Sequence, residues 1–127
     1  MSSLRSPLGR ARGLGSAKEG AQHFWAQRVS AVALVPLALW FVFSVARLHA
    51  LNYGEVHHWV ASPSVAVTLV LFMSALFYHS MLGVQVVIED YVGNEGVKLA
   101  SLLLMKFVHA GLAAACIFAV LKIALTS

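Results

Sequence analysis

The chain has 127 residues, of which 60% are hydrophobic and 11% are charged, and its formal net charge is +4. Soluble domains contain about 45–50% apolar and about 25% charged residues, so this composition excludes a water-soluble globule. It also excludes a disordered chain, which requires low hydrophobicity. The single cysteine excludes a disulfide framework and a cysteine-ligated zinc or iron–sulfur site within the chain. The class of protein that this composition indicates is therefore a small integral membrane protein.

Residues 1–27 are predicted to form a flexible, basic extramembrane segment, with three arginines, one lysine and four glycines opposed only by Glu19. The polar segment and the apolar run after it are too long for a cleaved signal peptide, so we expect the N-terminus to be retained. Lys and Arg near a first span favour the inside, whereas the loop 49–62 carries neither. We therefore expect an N-terminus inside and, with three spans, a C-terminus outside.

Three apolar stretches are long enough to cross a bilayer, which takes about 17–25 residues in a helix. The predicted helices cover about 28–48, 62–91 and 97–125. Ser62 and Pro63 fit the cap and first turn of the second helix. The sequence therefore predicts an all-α membrane protein in which three transmembrane helices form a bundle.

Two histidines lie deep within these helices. At about 1.5 Å per residue, His79 is about 15 Å from Glu89 at the inner boundary, and His109 lies at a similar depth on the next helix. Ionisable residues inside membrane helices are functional candidates, and neutral imidazole is a common axial haem ligand. The alternative is a histidine that bonds to a neighbouring helix and serves packing. The face of His79 also carries Phe72, Ala75, Gly83, Val86 and Asp90.

At the predicted inner end, Asp90 and Tyr91 form a carboxylate–phenol pair that can hydrogen-bond a quinone carbonyl and relay protons. The alternative is an interfacial tyrosine beside a solvated carboxylate. Arg28 can bind haem propionates or act as an anchor that snorkels to lipid phosphate. Lys106, three residues before His109, snorkels inward or lines a cavity.

A known family shares these features. Residues 79–92, HSMLGVQVVIEDYV, resemble the second-helix signature of the hydrophobic membrane anchor subunit of succinate dehydrogenase, the smaller cytochrome b anchor of respiratory complex II. Residues 23–31, HFWAQRVSA, resemble that family's entry into the first helix. The match extends from about Gly15 to the end of the chain and includes the three-helix layout.

The resemblance implies a role for each matched residue. His79 would be one axial ligand of a b-type haem shared with a second anchor, the cytochrome b556 subunit, which supplies the other histidine. Tyr91, with Asp90 beside it, would bind ubiquinone, and Arg28 would lie near the haem propionates. His109 is expected to serve packing or to line a cavity.

The resemblance also implies an electron-transfer function within the tricarboxylic acid cycle. In this family a flavoprotein subunit oxidises succinate and an iron–sulfur subunit carries the electrons, so the chain alone would not be a complete enzyme. These subunits are expected to dock on the inner face of a bacterial or mitochondrial-type inner membrane, where Arg28, Asp90 and Tyr91 converge. No nucleic-acid partner is expected. The alternatives are a cofactor-free structural anchor and the anchor of a fumarate reductase.

Overall fold

The structure is a computed structural model that describes residues 17–126, with side chains from residue 20 onward. Its helices are α1 (Ala17–Ala46), α2 (Tyr53–Ala61), α3 (Pro63–Tyr91) and α4 (Glu95–Thr126). By length and apolar composition α1, from Gly20, and the whole of α3 and α4 could cross a membrane. The prediction of an all-helical membrane protein with three long helices is confirmed. The basic residues before Ala17 lie outside the described part.

The first helix begins eleven residues before Arg28. The composition predicts a flexible segment up to residue 27, but residues 17–27 are helical. Alanine and glutamine in this stretch favour a helix, and Gly20 alone does not interrupt it. Arg28 therefore lies inside α1 instead of opening it.

Asparagine and proline determine where the later helices begin. Asn94 accepts a hydrogen bond from the backbone N–H of Val97 at 3.0 Å, so α4 begins at Glu95, two residues earlier than predicted. Pro63 opens α3 as predicted, but the Ser62 hydroxyl makes no capping hydrogen bond. The cap expected from that side chain is therefore absent.

Helix α2 lies in the loop that sequence analysis leaves without structure. Its Trp59 ring stacks on Trp40 at 6.1 Å between centroids and lies 6.1 Å from Phe41. Phe41 in turn stacks on Phe72 of α3 at 5.2 Å. This aromatic cluster ties the short helix to one end of α1 and α3.

The long helices form an open row with α3 in the middle. Helix α3 packs on α1 at one side and on α4 at the other, and no backbone contact joins α1 to α4 in the described part of the chain. Few described apolar side chains are buried: Val60, Ala66, Leu69, Phe72, Leu82 and Met105. Most large apolar side chains are exposed, so their natural surroundings are lipid and other membrane helices.

Candidate functional site

His79 of α3 contacts Ser30 of α1. The Oγ of Ser30 lies 2.9 Å from Nδ1 of His79 and 3.0 Å from the backbone oxygen of Gln27. Ser30 is only 7% exposed, and His79 is half-buried. The other ring nitrogen, Nε2 of His79, makes no hydrogen bond with any described residue. One nitrogen is therefore held by the neighbouring helix and the other is available to a ligand.

His109 is bonded differently, although it lies level with His79. Its Nδ1 is 2.9 Å from the backbone oxygen of Met105 and its Nε2 is 3.1 Å from Oγ of Ser80. A carbonyl oxygen only accepts, so Nδ1–H donates to Met105, and in the neutral ring Nε2 accepts from the Ser80 hydroxyl. Both ring nitrogens of His109 are therefore occupied, Nδ1 by the backbone of its own helix and Nε2 by Ser80 of α3. These contacts favour the packing role expected for His109.

Small residues leave open space near His79. Ala75, Tyr78 and Ser30 line part of a cleft of about 680 Å³ between α3 and α1. A Cβ added at Gly83 would meet nothing within 4 Å beyond its own helix backbone. Phe72, on the same predicted face, is instead buried. Gly83 is thus not required for packing within this chain, and another group can approach α3 there.

Arg28 does not point toward His79. It is two residues from Ser30, which separates their side chains by about 200° around α1. Its guanidinium lies 4.9 Å from the centroid of the Phe24 ring, a cation–π contact toward the N-terminal end of the helix. It has no ion pair among the described residues. This contact resembles that of a snorkelling side chain.

The register of α1 and α3 separates Arg28 from Tyr91. The Ser30–His79 contact shows which residues are level on these antiparallel helices. From that level, Arg28 lies about 3 Å along α1 and Tyr91 about 18 Å along α3 in the same direction. The expected convergence of Arg28 with Asp90 and Tyr91 is therefore not found within this chain. The expected convergence depends on a first helix that begins at about residue 28, but α1 begins at Ala17.

Asp90 and Tyr91 end α3 with exposed side chains. Tyr91 is 84% exposed, and neither residue makes a side-chain hydrogen bond or ion pair with the described residues. The phenol can donate one hydrogen bond and the carboxylate can accept several. The end of this helix therefore offers both groups to a partner or ligand outside the chain.

Ser30 is a residue of the site that the sequence pattern does not single out. It lies within an apolar run, where a lone hydroxyl at the depth of a histidine is a natural hydrogen-bond partner. The predicted start of the first helix at residue 28 placed Ser30 near the membrane boundary, far from the depth of His79. The error in the helix start therefore hid the contact.

Three long apolar helices with a small internal core define an integral membrane protein whose exposed faces need lipid or other chains around them. A model of the family described as succinate dehydrogenase/fumarate reductase transmembrane subunit matches residues 2–121. The chain belongs to this family.

Several relatives of this chain are named as membrane anchor subunits of succinate dehydrogenase. A succinate dehydrogenase hydrophobic membrane anchor subunit from Paracoccus denitrificans is 37% identical over 110 residues, covering 87% of this chain and 85% of the relative. One from Rickettsia bellii (strain RML369-C) is 33% identical, covering 70% and 71%. A succinate dehydrogenase membrane anchor subunit from Reclinomonas americana is 27% identical, covering 72% and 78%. No solved structure gives a significant match. By sequence, the chain thus belongs with the membrane anchor subunits of succinate dehydrogenase.

Proposed function

We propose that this anchor shares a b-type haem with a second anchor subunit and that His79 supplies one of the two axial ligands. The observation that carries the proposal is the bonding of the His79 ring, in which Ser30 holds Nδ1 while Nε2 has no hydrogen-bond partner among the described residues. An imidazole that is fixed at one nitrogen and free at the other has the form typical of a metal ligand.

The surroundings of His79 fit a haem better than a bare metal ion. No group of three or more His, Cys, Asp or Glu is placed to hold a metal ion in the described part of the chain. A haem brings four nitrogen donors of its own, so one histidine from each of two chains completes it. The open space beside Gly83 leaves room for a planar group or a partner helix. When bound, the haem supplies a reversible one-electron carrier.

His109 is a poor second ligand. Coordination through either of its nitrogens would break the hydrogen bond to Met105 or the one to Ser80. Each such bond contributes about 0.5–1.5 kcal/mol, so coordination by His109 would have to offset that loss. The second axial histidine is therefore assigned to the partner anchor, the cytochrome b556 subunit.

We further propose that Asp90 and Tyr91 form part of a ubiquinone reduction site. The Tyr91 hydroxyl would donate a hydrogen bond to a quinone carbonyl, and the Asp90 carboxylate would hold a proton nearby. Both side chains are exposed and unpaired among the described residues, which leaves them available to a ligand at the end of α3. Their distance of about 16–18 Å from the level of His79 makes this site separate from the haem ligand.

The proposed reaction passes electrons from succinate to ubiquinone. The flavoprotein subunit would oxidise succinate, the iron–sulfur subunit would carry the electrons, and both would dock where α3 ends in Tyr91. Arg28 is proposed as a haem propionate partner because its guanidinium has no ion pair among the described residues. Since it lies on the side of α1 away from α3, the haem edge would have to reach that side.

The experiment that tests the haem is a reduced-minus-oxidised absorbance spectrum of the complex purified from its native membrane. A sharp low-spin b-type haem band supports the proposal. Its absence identifies a cofactor-free anchor, in which the His79–Ser30 bond serves only packing. Mass spectrometry of the co-purifying chains identifies the second anchor and soluble subunits, and assays of quinol-dependent fumarate reduction identify the alternative direction.

A further inference from the structure

We infer that Ser30 is a positioning residue that fixes the tautomer and orientation of His79, so that Nε2 faces a ligand with its lone pair. This inference rests on the proposed function of His79. It assigns a role in the site to a residue of α1, whereas the axial ligand itself lies on α3.

The number of protons in the contact determines the tautomer. The Ser30 hydroxyl has one proton, and the backbone oxygen of Gln27, 3.0 Å away, can only accept it. With that proton committed, the hydroxyl oxygen must accept from Nδ1 of His79 at 2.9 Å. A neutral imidazole that carries its proton on Nδ1 has its lone pair on Nε2. The three groups together favour the tautomer that an Nε2 ligand requires.

The position of Ser30 makes this arrangement specific. It is the one buried polar residue among those described, at 7% exposure, and burying a hydroxyl is unfavourable unless it is hydrogen-bonded. Its bond to Gln27, three residues earlier in the same helix, orients the hydroxyl oxygen toward α3. The imidazole is therefore held by the packing of α1 on α3, not by its own helix.

A second serine–histidine pair, Ser80 with His109, has the opposite hydrogen-bond direction, and Ser80 directly follows His79 in α3. The Ser80 hydroxyl donates to Nε2 of His109, because Nδ1 of that ring already donates to Met105. Ser30 thus leaves Nε2 of its histidine free, while Ser80 occupies Nε2 of the other. The two serine–histidine pairs lie level in the membrane, so the same substitution in each provides an internal control.

Loss of the Ser30 oxygen has a defined effect on a bound iron. An acceptor at the outer ring nitrogen increases the basicity of a ligating histidine, and a more basic ligand favours ferric over ferrous iron. Ser30→Ala removes the acceptor, so we expect an upward shift of the haem midpoint potential. We also expect haem affinity to fall by about tenfold, the lower end of the effect of outer-shell changes.

The test compares the Ser30→Ala, Ser30→Thr, Ser30→Cys and Ser80→Ala variants in the complete complex. Redox titration of the haem band, haem content per flavin and the electron paramagnetic resonance spectrum of the ferric haem are measured. Ser30→Ala should raise the potential and alter the ferric spectrum, Ser30→Thr should restore both, and Ser80→Ala should leave both unchanged. Ser30→Cys replaces the hydroxyl with a thiol, a weaker acceptor, so it should shift the potential less than Ser30→Ala and in the same direction.

Two results would overturn the inference. One is an unchanged haem potential and ferric spectrum in an assembled Ser30→Ala or Ser30→Cys complex, while the His79→Ala complex has lost the low-spin haem. This result would refute the role of Ser30 and leave His79 as the proposed ligand. The other is a His79→Ala complex that retains wild-type low-spin haem, which refutes the proposed ligand and with it the role of Ser30. If Ser30→Ala does not assemble, the Ser30→Cys and Ser30→Thr measurements decide.

Discussion

The hydroxyl of Ser80 lies 3.1 Å from Nε2 of His109, one residue along α3 from His79. The two deep histidines are therefore neighbours at one level of the membrane and differ in which ring nitrogen is occupied. His79 keeps Nε2 free of hydrogen bonds among the described residues, whereas His109 uses both nitrogens. Depth alone does not distinguish the two residues, but their hydrogen bonds do.

This difference predicts opposite outcomes for two equal substitutions. His79→Ala should abolish or convert the low-spin haem spectrum, because it removes the one proposed axial ligand of this chain. His109→Ala should leave low-spin haem in place and cost only packing, about 0.5–1.5 kcal/mol for each of two lost hydrogen bonds. The measurement is the reduced-minus-oxidised spectrum of each assembled complex. A spectrum lost in His109→Ala and retained in His79→Ala would reverse the assignment.

How far the sequence predicts this structure depends on the kind of interaction. Long apolar runs predict the three long helices, because bilayer thickness sets their length. Similar spacings from charged residues, from Glu89 to His79 and from Lys98 to His109, correctly predict that the two histidines lie at similar depth. The predicted start of α1 at residue 28 is wrong, because Arg28 does not mark the helix boundary: its guanidinium extends back over Phe24. Long charged side chains allow the helix to continue past them.

Helix α2 and the Ser30–His79 contact could not be predicted from the sequence, because both depend on tertiary packing. Helix α2 has nine residues, too few to be stable alone, and it depends on Trp59 stacking on Trp40. The Ser30–His79 contact joins residues 49 positions apart, so it follows from the register of two helices and not from any local pattern. Both features require knowledge of how α1 packs.

Gly83 provides a test of whether another group approaches α3 beside His79. A Cβ at Gly83 meets nothing within 4 Å in this chain, and the same holds for Gly111 on α4. Gly83→Leu should leave the helices of this chain intact and lower the haem content of the assembled complex, because the larger side chain enters the proposed cofactor space. Gly111→Leu is the control and should keep normal haem content. Equal haem content in both variants would count against the approach at Gly83.

The distribution of Lys and Arg predicts the orientation of the chain in the membrane. Three arginines and a lysine precede the first span, and the loop after it carries none beyond Arg47, which favours an inner N-terminus. With three crossings, we therefore expect the C-terminus to lie outside. A reporter that is active only in the outer compartment should be active when it is fused after Ser127 and inactive when it is fused before Met1. The same result for both fusions would contradict three crossings.

Substitutions at Arg28 distinguish a haem propionate contact from a lipid anchor. Arg28→Lys keeps the positive charge and a side chain that can snorkel, but loses the bidentate geometry that suits a carboxylate. If Arg28 binds a haem propionate as proposed, Arg28→Lys should shift the haem midpoint potential while insertion remains normal. An unshifted potential in Arg28→Lys, with reduced insertion only in Arg28→Gln, would assign Arg28 to lipid anchoring. Redox titration and the amount of membrane-inserted subunit are the two measurements.

Tyr91 tests the quinone site separately from the haem. Tyr91→Phe removes one hydroxyl and keeps the ring, and since that hydroxyl makes no hydrogen bond among the described residues, helix packing should be preserved. A lost hydrogen bond to the quinone, worth about 0.5–1.5 kcal/mol, corresponds to a decrease of about 2-fold to 12-fold in quinone reduction. The haem spectrum and the oxidation of succinate by an artificial acceptor that bypasses the quinone should stay near normal.

The control for this variant is Tyr53→Phe, because Tyr53 is 83% exposed, close to the 84% of Tyr91, and lies at the opposite end of the helices. Both substitutions remove one exposed phenol hydroxyl, so a general effect of that loss on the complex would appear in both. Quinone reduction should decrease only in Tyr91→Phe. If the two variants reduced quinone equally well, Tyr91 would be an interfacial residue, and the quinone site would have to be formed mainly by the partner subunits.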